Sequence, residues 1–368
     1  MRPPEQKGFY AYIGERGTQC TKSIIPCLLA GLLLFLSACN TPPGQQPGTG
    51  IPSTTSPTGS MSGTTVSGAP VVSDGYVEML PALPASGYFL KKLADDVYFF
   101  STGHYNTLFM VTTGGVILAD PVRGAGPLIQ KAIASVTKLP VKFLIYSSAG
   151  LDRIGDAHLF AEGSQIIAHE SAQYLLRRYQ DTARPVPLLA FRKNYTLNFG
   201  GKKIDLIYPG RGHGFGNTII HLPKENVMMF AGIGGARALP GPRFETVDLY
   251  GQVLGVQRAS KLEFSAWLSG RGPRTGTKDE LRQLLRYYYD SRKANVSAMK
   301  SVRFQEAAGS TKSRDPLVIV DSYHQAVARD CYNRLKPVWK PRMMGFEAYA
   351  LSHCAAWTDF HLTHKPPK

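Results

Sequence analysis

The segment from Val141 to Phe160, VKFLIYSSAGLDRIGDAHLF, constrains the fold of this chain more than any other. Its first six residues are mostly apolar and predict a buried β-strand. A loop of small residues follows, and a helix is predicted from Ile154 to Phe160. In open α/β sheets such a loop crosses the carboxyl end of a strand, where side chains from several strands converge on one crevice. The segment therefore predicts an α/β fold with a functional site at the end of this strand.

Strand-like and helix-like segments alternate through the rest of the chain. Aromatic and β-branched residues predict strands, and an apolar period of 3.6 residues predicts helices. The predicted strands span 96–101, 106–112, 115–119, 165–169, 203–208, 218–222, 227–231 and 264–268. The clearest predicted helices span 128–136, 171–179 and 319–335, and a further helix begins at a capping box of Thr277 and Glu280. Residues 181–194 contain two prolines and are predicted to form a loop. Together these features favour a sandwich of two mixed sheets flanked by helices.

The loop after the central strand resembles the metal-binding loop of the metallo-β-lactamase fold superfamily. In that superfamily a strand ending in Tyr-Thr is followed by the motif HxHxDH, and then by Ile-Gly-Gly and Ala-His-Leu-Phe. Here Ser148 and Gly150 stand at the first two histidines, Asp152 stands at the aspartate, and Arg153 stands at the last histidine. One ligand of this motif therefore remains.

Two later segments extend the resemblance, which covers roughly residues 88–300. Residues 209–232, PGRGHGFGNTIIHLPKENVMMFAG, are similar to the superfamily's Gly-His-Thr-x-Gly-Asn segment and the strands after it. They place His213 on a ligand histidine and Ile233 where a bridging aspartate would stand. In residues 268–281, Arg271 replaces the last ligand histidine. Of the motif positions that hold metal, the chain keeps only Asp152 and His213.

The resemblance implies an αββα sandwich of the α/β class, to which this chain adds a helical C-terminal extension. It also implies zinc, which lowers the pKa of a bound water so that hydroxide attacks a carbonyl or phosphoryl centre. Catalytic zinc usually has three protein ligands, whereas this chain keeps two. Arg153 and Arg271 would also point permanent cations at a position meant for a divalent cation. We therefore expect no cofactor, with Asp152 and His213 as the residual metal or catalytic candidates.

Other side chains near these motifs have structural explanations. Replacement ligands are conceivable from His104, His158 or His221, but His158 matches a non-ligand histidine of the superfamily and His221 lies in a predicted strand. Asp120 ends a predicted strand at a position where the superfamily has an aspartate that supports the metal loop. We expect structural roles for all four residues.

The substituted residues suggest a positive hypothesis. The guanidinium groups of Arg153 and Arg271, with the hydroxyls of Ser147 and Ser148, could form an anion-binding pocket for a carboxylate or phosphate. In the alternative, the two arginines pair with Asp152 and other carboxylates and fill an inactive site. The residues alone leave both alternatives open.

The first 38 residues are predicted to be a bacterial lipoprotein signal peptide. Basic residues precede an apolar run from Ile24 to Leu36, which is too short for a stable membrane-spanning helix. The sequence Leu36-Ser37-Ala38-Cys39 resembles a lipobox, with cleavage before Cys39 and lipid on its sulfur. Asn40 follows the cysteine, and by resemblance to lipoprotein sorting we expect an outer-membrane anchor facing the periplasm.

The remainder of the chain is predicted to have three parts. Residues 39–75 are rich in Pro, Gly, Ser and Thr and are predicted to be a disordered tether. Residues 76–300 form the metallo-β-lactamase-like domain. Residues 301–368 form a helical extension packed on that domain.

The net charge restricts the class of partner. The chain carries a formal charge of +16 at pH 7 and loses only four basic and two acidic residues with the signal peptide. A basic surface favours an anionic small molecule or an anionic envelope polymer, in addition to the membrane that holds the lipid anchor. We expect no nucleic acid, because the chain has neither a dense Lys/Arg run nor an aromatic stacking motif.

Two cysteines remain after the signal peptide and the lipidated Cys39 are set aside. Cys331 and Cys354 both lie in the predicted helical extension. In an oxidising compartment they are expected to form a disulfide, and the alternative is that they are two buried thiols.

The sequence as a whole predicts a metallo-β-lactamase-fold envelope lipoprotein that has lost most of its zinc ligands and acts as a non-catalytic or anion-binding pseudoenzyme. One alternative is a divergent metal-dependent hydrolase of esters, lactams, thioesters or phosphodiesters that uses Asp152 and His213 with other ligands. A second alternative is a structural envelope protein that binds anionic polymer through a basic face.

Overall fold

A computed structural model describes residues 76–78, 81–272 and 274–364. The predicted signal peptide, the lipidation site Cys39 and the predicted tether lie outside these residues. Within the described residues, no helix is both long and apolar enough to cross a bilayer.

The first sheet is mixed, and its strands follow the order of the chain. They are β1 (Phe89–Ala94), β2 (Val97–Ser101), β3 (Asn106–Thr112), β4 (Gly115–Ala119), β5 (Val141–Ile145), β6 (Gln165–His169) and β7 (Leu189–Phe191). Strands β1 to β4 pair antiparallel, and β4 to β7 pair parallel. Because β4 and β5 are parallel neighbours, Asp120 after β4 and Ser147 after β5 meet at the same edge of the sheet.

The second sheet is also mixed and has the order β12-β11-β10-β9-β8. Its strands are β8 (Asn194–Phe199), β9 (Lys202–Ile207), β10 (Ile219–Leu222), β11 (Val227–Met229) and β12 (Ala266–Leu268). The pair β11 and β12 is parallel, and the other pairs are antiparallel. The loops after β9, β11 and β12 carry His213, Gly232 and Arg271.

Helices cover the outer faces of both sheets. They are α1 (Gly126–Val136), α2 (Leu151–Ile154), α3 (His158–Ala161), α4 (Glu170–Tyr179), α5 (Leu249–Ala259), α6 (Lys278–Ser301), α7 (Phe304–Gly309), α8 (Pro316–Trp339) and α9 (Phe346–Thr363). The capping box predicted at Thr277 and Glu280 begins α6.

Three apolar clusters define four layers. One cluster fills the space between the sheets, with Leu108 from the first sheet and Leu206 from the second among its members. A second cluster packs α1, α3 and α4 on the outer face of the first sheet. The third packs α5, α6, α8 and α9 on the outer face of the second sheet. The predicted fold class, an αββα sandwich with a helical C-terminal region, is confirmed.

The C-terminal helices share the core of the second sheet instead of standing apart from it. Trp357 of α9 and Tyr287 of α6 are completely buried in the same cluster as Trp267 of β12. The structure contains the Cys331–Cys354 disulfide, which joins α8 to α9. The helix α9 is therefore tied covalently and by packing to the layer that carries one wall of the site.

Several element boundaries differ from those predicted. The helix expected over 154–160 is two short helices, α2 and α3, separated at Gly155. Helix α8 continues through Pro337 to Trp339, although a proline inside a helix usually ends or kinks it. Pro337 lies in the last turn, so the helical hydrogen bond that it removes is close to the helix end.

The elements that the sequence pattern failed to predict are β1, β7, β8 and α5. Strands β1 and β8 lie at sheet edges, where exposed positions carry polar residues and the apolar alternation is weak. Strand β7 has only three residues and lies inside the predicted loop 181–194, so the loop prediction is wrong at Leu189–Phe191. Helix α5 contains two glycines, which lower its helix propensity, and packing against the second sheet stabilises it.

Candidate functional site

The loops at the strand ends enclose a cleft of about 210 Å³. Helix α2 and the loops after β9, β11 and β12 supply its walls, and one side chain of α9 closes it. Glycine backbone makes up much of the lining. The charged, histidine and tyrosine side chains that line the cleft are His104, Asp152, Arg153, His213, Glu245, Arg271 and Tyr349.

A buried ion pair between Asp120 and Arg153 lies at the floor of the cleft. Arg153 Nε donates to Oδ2 of Asp120 at 2.9 Å, and the side chains are 3% and 0% exposed. Asp120 also accepts bonds from the backbone N–H of Ser147, at 2.7 Å, and from its hydroxyl. Burial raises the pKa of the Asp120 carboxyl, and the guanidinium and the Ser147 donors act against that increase. Because charge-assisted bonds of this kind need the carboxylate, we treat the pair as ionised.

The remaining nitrogens of Arg153 bind backbone carbonyls. Nη1 donates to the carbonyl of Gly270 at 2.7 Å, and Nη2 donates to the carbonyl of Asn106 at 2.8 Å. A Cβ on Gly270 would lie only 2.9 Å from the Cβ of Ala231 and 3.1 Å from Nη1, so glycine leaves room for the guanidinium. The side chain at the position of a ligand histidine thus links the start of β3 to the ends of β4 and β12.

The two serines of the predicted anion pocket are buried and do not line the cleft. The hydroxyl of Ser147 donates to Asp120, and Ser148 Oγ accepts the backbone N–H of Gly150 at 3.3 Å. Arg153 reaches the cleft, but each of its nitrogens already has a protein acceptor. Of the four residues predicted to bind an anion, the structure therefore leaves only Arg271 with a guanidinium at the cleft surface.

Arg271 is paired with two carboxylates. Its Nη1 donates to Glu245 Oε1 at 3.0 Å, and its Nη2 lies 3.6 Å from Asp152 Oδ2. The guanidinium also lies 5.5 Å from the ring centre of Tyr105, a distance typical of cation–π contact. With one guanidinium and two carboxylates, the exposed charge of the cleft is net negative although the whole chain is basic.

His213 has one ring nitrogen bonded and one open to the cleft. Nδ1 lies 2.6 Å from the carbonyl of Glu245, so Nδ1 carries the proton and donates it. Among the described residues Nε2 has no bonding partner and is left as an acceptor. Burial lowers the pKa of His213 below its ordinary value, which keeps the ring neutral at pH 7. Gly232, at φ +80°, lets the ring approach, because a Cβ there would lie 2.2 Å from the imidazole.

Glu245 belongs to a turn that the sequence did not predict. In the turn Pro242–Glu245, three successive residues have positive φ: Arg243 at 53°, Phe244 at 63° and Glu245 at 46°. Such backbone costs non-glycine residues about 1 kcal/mol or more each, so the surrounding structure must hold it. The sequence gives no signal for this turn, because none of the three residues favours the left-handed region.

The other histidines differ in their placement. His104 lines the cleft and contacts the ring of Tyr105. His158 is exposed, with Nδ1 at 3.4 Å from the carbonyl of Ala183, and His221 binds the carbonyl of Glu263 through Nε2 at 2.8 Å. His158 and His221 lie outside the cleft, as expected for structural residues.

The donor set does not fit a zinc centre. No group of three or more His, Cys, Asp or Glu side chains placed to hold a metal occurs in the described part of the chain. His213 and Asp152 line the same cleft, but Arg271 lies against Asp152, and the buried Arg153 replaces a ligand histidine. The two remaining candidates fall short of the three protein ligands that catalytic zinc usually has.

No model of a known protein family matches the chain. The 2,4-dinitroanisole O-demethylase subunit alpha of Nocardioides sp. (strain JS1661) is 30% identical to it over 180 residues, which is 46% of this chain and 55% of that protein. The chain thus spans about half the length of that relative.

Solved structures similar to this chain include metallo-β-lactamases. A metallo-β-lactamase from Pontibacter korlensis matches with a TM-score of 0.48 and 19% identity, over 55% of this chain and 99% of that chain. Metallo-β-lactamase IND-7 matches with a TM-score of 0.47 and 16% identity, over 54% and 98%. The fold of this chain, an αββα sandwich, is defined by its own layers and strand order.

The ion pair gives a stability prediction. Replacing Arg153 by Met leaves Asp120 buried and unpaired, which should lower the free energy of unfolding by roughly 3–5 kcal/mol. Arg303→Met removes a partner from the exposed Arg303–Glu306 pair and should change it by less than about 1 kcal/mol. Urea unfolding at pH 7 measures both variants. Equal, small losses in the two would show that the buried pair does not stabilise the fold.

Proposed function

We propose that this protein is a metal-independent pseudoenzyme of the metallo-β-lactamase fold, whose cleft binds a small molecule. The observation that carries the proposal is the Arg153 guanidinium, buried where the related motif has a ligand histidine and bonded to Asp120 and two carbonyls. The guanidinium has no lone pair for a metal, so this position offers a divalent cation no ligand. It also supplies, without metal, the electrostatic partner that the buried Asp120 needs.

The chemistry of the cleft favours a ligand that donates a hydrogen bond. The open Nε2 of His213 is an acceptor, as are the carboxylates of Asp152 and Glu245. An anion at Arg271 would lie beside the two carboxylates that already face the guanidinium, and both would repel it. We therefore propose that the ligand of the cleft is a small neutral or cationic hydrogen-bond donor, and not the anion that the sequence suggested.

Metal analysis tests the proposal. Residues 76–368, purified without chelator, incubated with zinc, manganese and iron and then desalted, should hold far less than one metal ion per chain by inductively coupled plasma mass spectrometry. The Asp152→Ala/His213→Ala variant serves as the matched control and should give the same value. Stoichiometric metal that disappears in the double variant would overturn the proposal.

A second candidate is a metal-independent hydrolase. The neutral His213, with its proton fixed on Nδ1, is suited to take a proton from water through Nε2, and Arg271 could meet an oxyanion leaving group. A relative named as an O-demethylase subunit of 2,4-dinitroanisole favours a substrate with an activated aryl–oxygen bond. Water would then supply the hydroxyl group, and its proton would pass by way of His213 to the leaving oxygen.

Substrate turnover in the presence of a chelator tests whether the protein is a metal-independent hydrolase. If it holds, release of a nitrophenol from 4-nitrophenyl acetate or 2,4-dinitroanisole continues in EDTA and falls about 10²-fold or more in His213→Gln. His221→Gln changes a histidine outside the cleft and should keep the wild-type rate. Absence of turnover in the wild-type protein would eliminate the hydrolase and leave the binding protein.

We also propose an envelope location with a lipid on Cys39. The support is the order of basic, apolar and small residues before this cysteine, followed by a tether-like composition. A surface-anchored basic domain would lie close to anionic envelope polymer, which its net charge favours.

Lipid labelling tests the location. In a bacterial host, the full chain should incorporate radiolabelled palmitate and fractionate with membranes, and Cys39→Ser should lose both properties. Cys27→Ser changes another cysteine of the signal region and should retain them. Labelling that persists in Cys39→Ser would contradict this assignment.

A further inference from the structure

We infer that His353 of α9 is a positioning residue for the cleft, because it holds the left-handed turn Pro242–Glu245 that orients His213 and Arg271. The inference rests on the proposed function in that it concerns the same cleft. It adds that the C-terminal helical region is part of the site. His353 lies outside the segment that resembles the metallo-β-lactamase superfamily, so the resemblance gives no reason to expect this role.

The turn acts on the cleft through Glu245. The carbonyl of Glu245 accepts the Nδ1 proton of His213, which leaves Nε2 as the acceptor in the cleft. The carboxylate of the same residue binds Arg271. A change in the backbone of this residue would therefore alter both the tautomer of the histidine and the pairing of the arginine.

Strained backbone at this point needs support from outside the turn. Three successive non-glycine residues with positive φ relax to ordinary conformations unless packing and hydrogen bonds prevent it. The first and second of them, Arg243 and Phe244, make the supporting contacts. The third, Glu245, makes the functional ones.

His353 supplies the central support. Its Nε2 donates to the carbonyl of Gly241 at 2.9 Å, next to the turn. Its Nδ1 therefore lacks a proton and accepts the hydroxyl of Tyr287 at 2.8 Å. The imidazole also stacks on Phe244, with ring centres 4.0 Å apart and planes 17° from parallel. Nε2 and one ring face thus hold the turn, and the bond of Nδ1 to Tyr287 fixes the orientation of the ring.

The neutral form of His353 is the one that these bonds require. Burial lowers the pKa of His353 to about 4, so the ring stays neutral at pH 7. Tyr287 remains protonated, because burial raises its pKa far above the ordinary value. One arrangement of protons therefore satisfies the whole contact.

Further contacts fix the same turn to α9 and α5. The backbone N–H of Arg243 donates to Ser352 Oγ at 3.0 Å, and its guanidinium pairs with Asp359 at 2.5 Å. Gln252 Nε2 donates to the carbonyl of Phe244 at 3.2 Å.

The helix that provides these contacts is itself held in place. Cys354, the next residue after His353, forms the disulfide to Cys331 of α8. Tyr349, one turn before His353 on the same face of α9, lines the cleft directly. Helix α9 therefore contacts the cleft both through its own side chain and through the turn.

The test is the protonation state of His213, read by NMR of ring ¹⁵N and Cε1–Hε1 signals during a pH titration. The His213→Gln spectrum identifies the signal by its absence. In the wild-type protein the signal should show a single Nδ1–H tautomer and a pKa below the ordinary 6.5. In His353→Leu the Nδ1–H bond should loosen and the tautomers should mix. The pKa of His213 should fall further below its wild-type value, because the bond to the Glu245 carbonyl acts to raise it.

Two variants control for indirect effects. His353→Gln keeps an N–H donor for Gly241 and should restore part of the wild-type pattern. His364→Leu changes an exposed histidine at the end of the same helix, with no contact to the turn, and should leave His213 unchanged. A folded His353→Leu protein whose His213 keeps the wild-type tautomer and pKa would overturn the inference.

If His353→Leu does not fold, Tyr287→Phe provides the test at the same contact, since it removes only the hydroxyl that donates to His353 Nδ1. It should shift the His213 signal in the same direction by a smaller amount, and no shift would overturn the inference. Because the measurement uses no ligand and no metal, it stands whatever the cleft binds. Metal uptake would defeat the proposed function while leaving this result unchanged.

Discussion

The site depends on one buried contact, the ion pair of Arg153 and Asp120. Burying two charges is costly, and the cost is offset only when geometry is good and the remaining donors and acceptors are satisfied. Here each guanidinium nitrogen has an oxygen partner, and the carboxylate receives two further donors from Ser147. The pair therefore fixes the ends of three strands around one point. The same arrangement puts a guanidinium, which has no lone pair to give a metal, where the related motif has a ligand histidine.

The cleft above this pair is arranged by the second sheet and the helices behind it. Arg271 stands between Glu245 and Asp152, so its charge is largely compensated within the cleft. His213 keeps a defined tautomer because the carbonyl of Glu245 takes its Nδ1 proton. Glu245 makes both contacts, and it lies in a strained turn that α5 and α9 stabilise. The C-terminal helices thus belong to the architecture of the site as well as to the core.

The sequence predicted the parts of the structure that follow from local pattern. Apolar strands, the capping box of α6, the two mixed sheets and the helical C-terminal region could be derived because burial leaves a period in the sequence. Edge strands such as β1 and β8 were missed, since half of their positions face solvent. The chemistry of the site was predicted only in its residue types. The partners of Arg153 and Arg271 depend on contacts between distant loops, and the left-handed turn at Glu245 has no local signature.

The most direct test of the central claim is the exchange of the Arg153 Nε–H proton with solvent, followed by NMR at neutral pH. A guanidinium buried against Asp120 should give an Nε–H signal that persists in water. It should not change when excess zinc and then EDTA are added. A signal that exchanges rapidly, or that moves or disappears with stoichiometric zinc, would show that Arg153 does not hold this position and would contradict the account.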